Sequence, residues 1–139
     1  MIEVVGDEGH NMARVLVSGD SAAVLDVLCA EITGEGHEVI EAYDGQQAYE
    51  FALSERPDMM FLQVAMPVFD GYETCQMLRQ DPDIPAGLPV ILVVGAEVDP
   101  RKIEKVGATD MLAACHEVYE VRDLLAAHLT PDALTDVEA

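Results

Sequence analysis

Cysteine, histidine and carboxylate side chains could carry covalent or metal chemistry here, and their spacing limits what they can do. Cys29, Cys75 and Cys115 are odd in number and far apart, with no Cys-x-x-Cys pair. His10, His37, His116 and His128 have no finger-like spacing to them. The expectation is therefore no metal site, with the cysteines serving as small buried hydrophobes. Cys115 and His116 are the types of a thiol nucleophile and its base. Adjacent residues point different ways, however, and no third, orienting group is visible. Tyr43, Tyr49 and Tyr72 are expected at partly exposed helix and loop positions rather than around a ligand. Met59, Met60, Met66, Met77 and Met111 are expected in the core rather than on an adaptable binding surface. No catalytic residue emerges from these types alone.

The elements that must position any site are legible from periodicity. Arg14-Val15-Leu16-Val17 reads as a buried strand. Ser21 to Thr33 reads as a helix, with Val24, Leu25, Leu28 and Ile32 at helical spacing, Asp20 or Ser21 as its cap and Gly34 as its stop. His37 to Ala42 is a second strand. Asp44-Gly45 opens a helix with Ala48, Phe51 and Ala52 on one side, ended before Pro57. Met59 to Leu62 is a third strand, and Asp70 caps a helix to about Arg79. Pro89 to Val94 is a fourth strand. Asp99-Pro100 starts a short helix, with proline at its tolerated first position. Asp110 to Ala114 is a weaker fifth strand. The last helix, Val118 to Leu129, carries Val121, Leu124, Leu125 and His128 on one stripe. Strands that alternate with helices demand a parallel sheet covered on both faces. The expected fold is a doubly wound α/β domain of strand order 2-1-3-4-5. Residues 13–129 form that domain, with an N-terminal arm at 1–12 and a C-terminal tail or linker start at 130–139.

Composition excludes several functions. The chain has 139 residues, half of them apolar, which suits one domain with its own core and rules out disorder. No apolar stretch reaches the eighteen or so residues of a membrane span. The acidic start Met1-Ile2-Glu3-Val4-Val5-Gly6-Asp7-Glu8 lacks the basic opening of a signal peptide, so a cytoplasmic protein is expected. Twenty-seven acids against seven bases give a net charge of −20, which repels nucleic acid and anionic membranes. The acids occur in nearly every segment. That favours a charged coat suited to a salt-loaded cytoplasm over a single acidic docking face.

On these elements sit the short motifs Glu35-Gly36-His37-Glu38-Val39, Ala42-Tyr43-Asp44-Gly45-Gln46-Gln47-Ala48, Pro57-Asp58, Met66-Pro67-Val68-Phe69-Asp70-Gly71, Leu88-Pro89-Val90-Ile91 and Gly107-Ala108. Taken in order, they resemble the receiver domains of two-component response regulators, over roughly residues 13 to 129. The resemblance implies the flavodoxin-like receiver fold, with its chemistry at the C-terminal ends of the strands. It also implies a phosphoryl-accepting aspartate three residues before Met66, where this chain has Gln63. The two acids that would hold magnesium are Ser18 and Gly19, and only the following Asp20, better explained as a cap, is acidic. The family's hydroxyl position is Val94 and its lysine is Ala114. The proline after that lysine is Cys115, so the bond before it is expected to be trans. The aromatic switch position is Met111. Asp58 lies at the opposite end of its strand, about 16 Å away at 3.3 Å per residue.

The resemblance therefore implies a degenerate receiver, not an enzyme, with magnesium binding lost. Its expected role is phosphorylation-independent docking to a kinase, a phosphotransfer protein, an output domain or itself, away from nucleic acid and membranes. Two alternatives stand beside it: a small uncharged ligand in the emptied pocket, and an unorthodox phosphotransfer. A docking face is expected around Arg101, Lys102, Lys105 and Met111. There, three of the seven basic residues fall within five positions of the fourth helix, and they are expected at its unfavourable positive end.

Overall fold

β-Branched and apolar residues recur in short runs because each strand must be covered on both faces by helices, and the runs form the strands expected. In the computed structural model, which describes residues 12–95 and 98–138, with side chains to 129, these are β1 (Arg14–Ser18), β2 (Glu38–Ala42), β3 (Met59–Gln63), β4 (Val90–Val94) and β5 (Asp110–Ala113). All pair in parallel, in the order β2-β1-β3-β4-β5. The two central strands β3 and β4 are almost wholly buried, as their unbroken apolar runs require. The helices are α1 (Ala22–Gly34), α2 (Gly45–Ser54), α3 (Gly71–Gln80), α4 (Pro100–Lys105) and α5 (Val118–Glu138).

Alternation along each strand divides the core into two layers. Leu16, Met60, Leu62 and Leu92 face α2, α3 and α4 through Ala48, Cys75, Leu78 and Ile103. Val15, Phe61, Ile91 and Val93 face α1 and α5 through Leu28, Ile32, Val121 and Leu125. Caps fix where the helices begin. Asp44 accepts from the N–H of Gln47 at 2.7 Å. Asp70 and Glu73 form a reciprocal capping box, at 2.8 and 3.0 Å.

Several expectations need correction. Ser21, not Asp20, caps α1, with its side chain accepting from Val24 N–H at 3.4 Å; Asp20 is simply exposed. The last helix runs past Leu129 and through Pro131 to Glu138, although an interior proline opposes a helix. Of the cysteines only Cys75 is a buried hydrophobe; Cys29 is half-buried and Cys115 is exposed on the β5–α5 loop, where its neighbour takes the inward position. Burial pushes the Cys75 thiol up to about 11, and burial together with the Glu41 carboxylate does the same to Cys29. Tyr72 is buried rather than partly exposed, because it lies on the inner side of α3. Met111 is exposed and Met77 half-buried, whereas Met59, Met60 and Met66 lie in the core. The N-terminal arm, apart from Met12, lies outside the described residues.

Candidate functional site

Parallel register brings the C-terminal ends of β1, β3, β4 and β5 into one row. Ser18 pairs with Leu62, Gln63 with Val93, and Val94 with Ala113. The residues singled out by sequence, Ser18, Gly19, Gln63, Val94 and Ala114, are thus assembled at one sheet edge, where open α/β sheets place their ligands. Asp20 stands beside them but is exposed.

Gln63 continues the alternation of Met59 and Phe61, so its side chain leaves the sheet on the α1 side. Its Oε1 accepts from the Ser21 backbone N–H at 3.4 Å and so occupies the start of α1. It also covers Gly19: a Cβ there would lie 2.2 Å from Oε1 and 2.9 Å from the Cβ of Gln63. Gly19 itself is buried and donates its N–H to Ala42 O at 3.2 Å. Ser18 turns to the other face. Its hydroxyl lies 3.2 Å from Asp44 O and 3.2 Å from the Met66 sulfur, and the residue is buried. Val94 belongs to the apolar layer beneath α3 and α4. Ala114 offers a half-buried methyl group, with its N–H donated to Val94 O at 2.8 Å.

The chemistry open to this set is narrow. An amide oxygen is a poor nucleophile and forms no stable acyl phosphate. Magnesium takes hard oxygens in octahedral array, usually with carboxylate charge. Here Ser18 directs its hydroxyl into the protein, Gly19 has no side chain and Gln63 is neutral, so Asp20 alone brings carboxylate charge to this set. Among the described residues no group of three or more His, Cys, Asp or Glu side chains could hold a metal.

The loop around the site keeps the geometry that its sequence requires. Pro67 O accepts from Gly45 N–H at 3.3 Å and from Phe69 N–H at 2.9 Å, which makes a γ-turn centred on Val68. Val68 has φ +70°, a strained value for a β-branched residue. Gly71 allows α3 to start against the strand, since a Cβ there would lie 2.8 Å from Val64 Cα. The Ala114–Cys115 bond is trans, as are all peptide bonds among the described residues.

Arg101, Lys102 and Lys105 are exposed on α4, and Lys102 Nζ sits over the Tyr72 ring at 4.6 Å. Their expected conflict with the helix dipole is corrected. The helix has only six residues, so Lys102 and Lys105 fall in its last turn, where cations are favourable, and Arg101 alone stays at its start. Met111 and Leu112 on β5 and Leu124 and Ala127 on α5 line an apolar groove rimmed by Glu120 and Asp123.

Two remaining sequence candidates resolve differently. Asp58 lies at the far end of β3, where its carboxylate accepts from Arg14 N–H at 2.8 Å. His116 was expected to lack an orienting group and in fact has one: Glu31 Oε1, 2.7 Å from its Nε2. Periodicity on α1 could not reveal that partner, because the two residues meet only through the fold. Cys115 is exposed while the His116 side chain is 1% exposed, so the two form no catalytic pair.

Residues 15–126 match the family described as response regulator receiver domain. The chain is 36% identical over 133 residues to response regulator PleD of Caulobacter vibrioides, covering 91% of this chain and 29% of that protein. It is 33% identical over 128 residues to response regulator MprA of Mycobacterium ulcerans, covering 91% and 54% respectively. It therefore spans roughly a third to a half of these relatives. Among solved structures, the chemotaxis response regulator CheY4 of Vibrio cholerae superposes with a TM-score of 0.77 at 27% identity, covering 85% of this chain and 99% of that one.

Proposed function

We propose that this chain, which belongs to the response regulator receiver domain family of two-component signalling, works as a docking module whose state does not depend on phosphorylation. The observation that carries the proposal is the Gln63 amide. It stands where the family's nucleophile would be, lies over Gly19 and turns its carbonyl oxygen to the start of α1. Phosphoryl transfer rests on positioned charge. Ser18, Gly19 and Ala114 supply none, and magnesium binding is proposed to be lost with them. In this reading the domain is not an enzyme.

The Ser18 hydroxyl and the Gln63 carbonyl oxygen are directed at the protein's own groups, which favours docking over a small ligand in the pocket. The docking face proposed is the surface of α4, β5 and α5, with Arg101, Lys102, Lys105 and Met111 exposed on it. Its basic helix and its acid-rimmed groove are complementary in charge, which fits a signalling partner of mixed charge or a second copy of the chain.

Incubation with acetyl phosphate and magnesium, followed by intact-mass measurement, tests the proposal. No phosphoryl adduct is expected on the native chain. None is expected on Gln63→Asp either, which restores a carboxylate without metal ligands or a cationic partner. A base-labile adduct on the native chain overturns the reading. Labelling of the single variant at the rate of an ordinary receiver overturns the account of the pocket.

A further inference from the structure

His116 is the buried titratable group that the proposed function leaves unused. Its side chain is 1% exposed, and that of Glu31 on α1 is 12% exposed. Nε2 lies 2.7 Å from Glu31 Oε1 and Nδ1 lies 2.8 Å from Ala113 O, at the end of β5. A carbonyl oxygen only accepts hydrogen bonds, and so does a carboxylate. A neutral imidazole carries one N–H and would set its bare nitrogen against an oxygen lone pair. The imidazolium alone satisfies both contacts while Glu31 is ionised.

We propose that His116 is a protonated clasp that fastens the β5–α5 loop to α1 through Glu31, and that this clasp opens as pH rises. The loop it holds carries Ala114 and leads into α5, so the clasp sets both one wall of the strand-end site and the start of the docking face. Glu31 is the charged side chain acting on the ring. On the loop and the first turn of α5 stand the acids Glu117 and Glu120, and the Glu120 carboxylate accepts the Glu117 N–H at 2.9 Å. Asp110 of β5 lies 3.8 Å from His128 instead. Burial alone pushes the ring toward neutrality. The Glu31 carboxylate and the Ala113 carbonyl outweigh it and raise the His116 pKa above its ordinary value. A raised folded-state pKa means that the clasp stabilises fully below about pH 6.5, the unfolded value, and weakens as pH rises through the folded value.

Ring ¹⁵N and ¹³C NMR of the full chain, from about pH 5 to pH 9, reads the clasp directly and needs no variant. Both ring nitrogens are expected to be protonated at about pH 6, with a midpoint above about 6.5 that moves to lower pH in Glu31→Gln. The melting-temperature advantage of the native chain over His116→Phe should shrink as pH rises through that midpoint. Amide protection factors of residues 114–118, taken relative to the intrinsic exchange rate at each pH, should fall over the same window only in the native chain. A single neutral tautomer at about pH 6, a midpoint at or below about 6.5, or a pH-independent difference in melting temperature overturns the proposal.

Discussion

A methyl group added at Gly19 would land 2.2 Å from Oε1 of Gln63 and 2.9 Å from its Cβ, so the two positions constrain each other. Oε1 is the end of a flexible side chain and can swing aside, at the cost of its bond from Ser21 N–H. The Cβ of Gln63 cannot. Gly19→Ala should therefore cost about 1–3 kcal/mol, the usual range for overpacking. In a Gln63→Ala background the cost should be smaller, with a coupling of about 0.5 kcal/mol or more. Urea denaturation of the two single variants and the double variant measures this, and strict additivity would show that Gln63 does not occupy the space over Gly19. At the same scale, Gln63 is legible from sequence as an amide at the position where the resemblance implies an aspartate. What the amide does instead is not, because its partners are a backbone N–H and a glycine on a different strand–helix unit.

At the scale of elements, Arg79 at the end of α3 ties together segments that share no sheet hydrogen bond with it. Its Nε donates to Gly107 O at 2.8 Å, Nη1 to Leu88 O at 2.8 Å and Ala86 O at 3.3 Å, and Nη2 to Thr109 Oγ1 at 3.3 Å. These acceptors come from the loops entering β4 and β5, and Thr109 Oγ1 also accepts from Val90 N–H at 2.9 Å. Arg79→Ala should destabilise by about 2–3 kcal/mol, since hydrogen bonds from a charged donor contribute about 1.5–3 kcal/mol and some of these are partly solvated. Arg79→Lys should recover less than half, because a single ammonium cannot reproduce the planar fork. Denaturant midpoints decide both. On α4, reversing Arg101, Lys102 and Lys105 to glutamate should abolish self-association or partner capture. The exposed sites should leave the melting temperature nearly unchanged. Association equal to the parent's in analytical ultracentrifugation would place the docking face elsewhere.

Across the whole molecule, exposed acids appear on every layer: Asp26 on α1, Glu41 on β2, Glu50 on α2, Glu73 on α3, Glu104 on α4 and Asp123 on α5. This distribution matches the coat expected from sequence rather than one acidic face. At a net charge of −20, self-repulsion opposes the compact state. Salt at about 1 M shrinks the screening length to about 3 Å, so melting temperature should climb through a sodium or potassium chloride series. A flat or falling series would remove the salt-adapted reading. Among the described residues no helix is long and apolar enough to cross a membrane.

Sequence by itself determined the order and type of every strand and helix, because the period of apolar residues reports burial directly and Asp44, Asp70 and Asp99 mark their own helix starts. It also determined which residue types stand at the strand ends, since register there comes from counting along each strand. Tertiary structure decided everything that depends on a partner distant in the chain. It placed Gln63 over Gly19, buried Tyr72 under Lys102, gave Arg79 its four acceptors and gave His116 its carboxylate. The reach of α5 also ran against local pattern, because Pro131 reads as a stop and the helix nonetheless continues to Glu138. Local patterns fix which face of an element is buried. Which side chain it meets there is set by packing between elements.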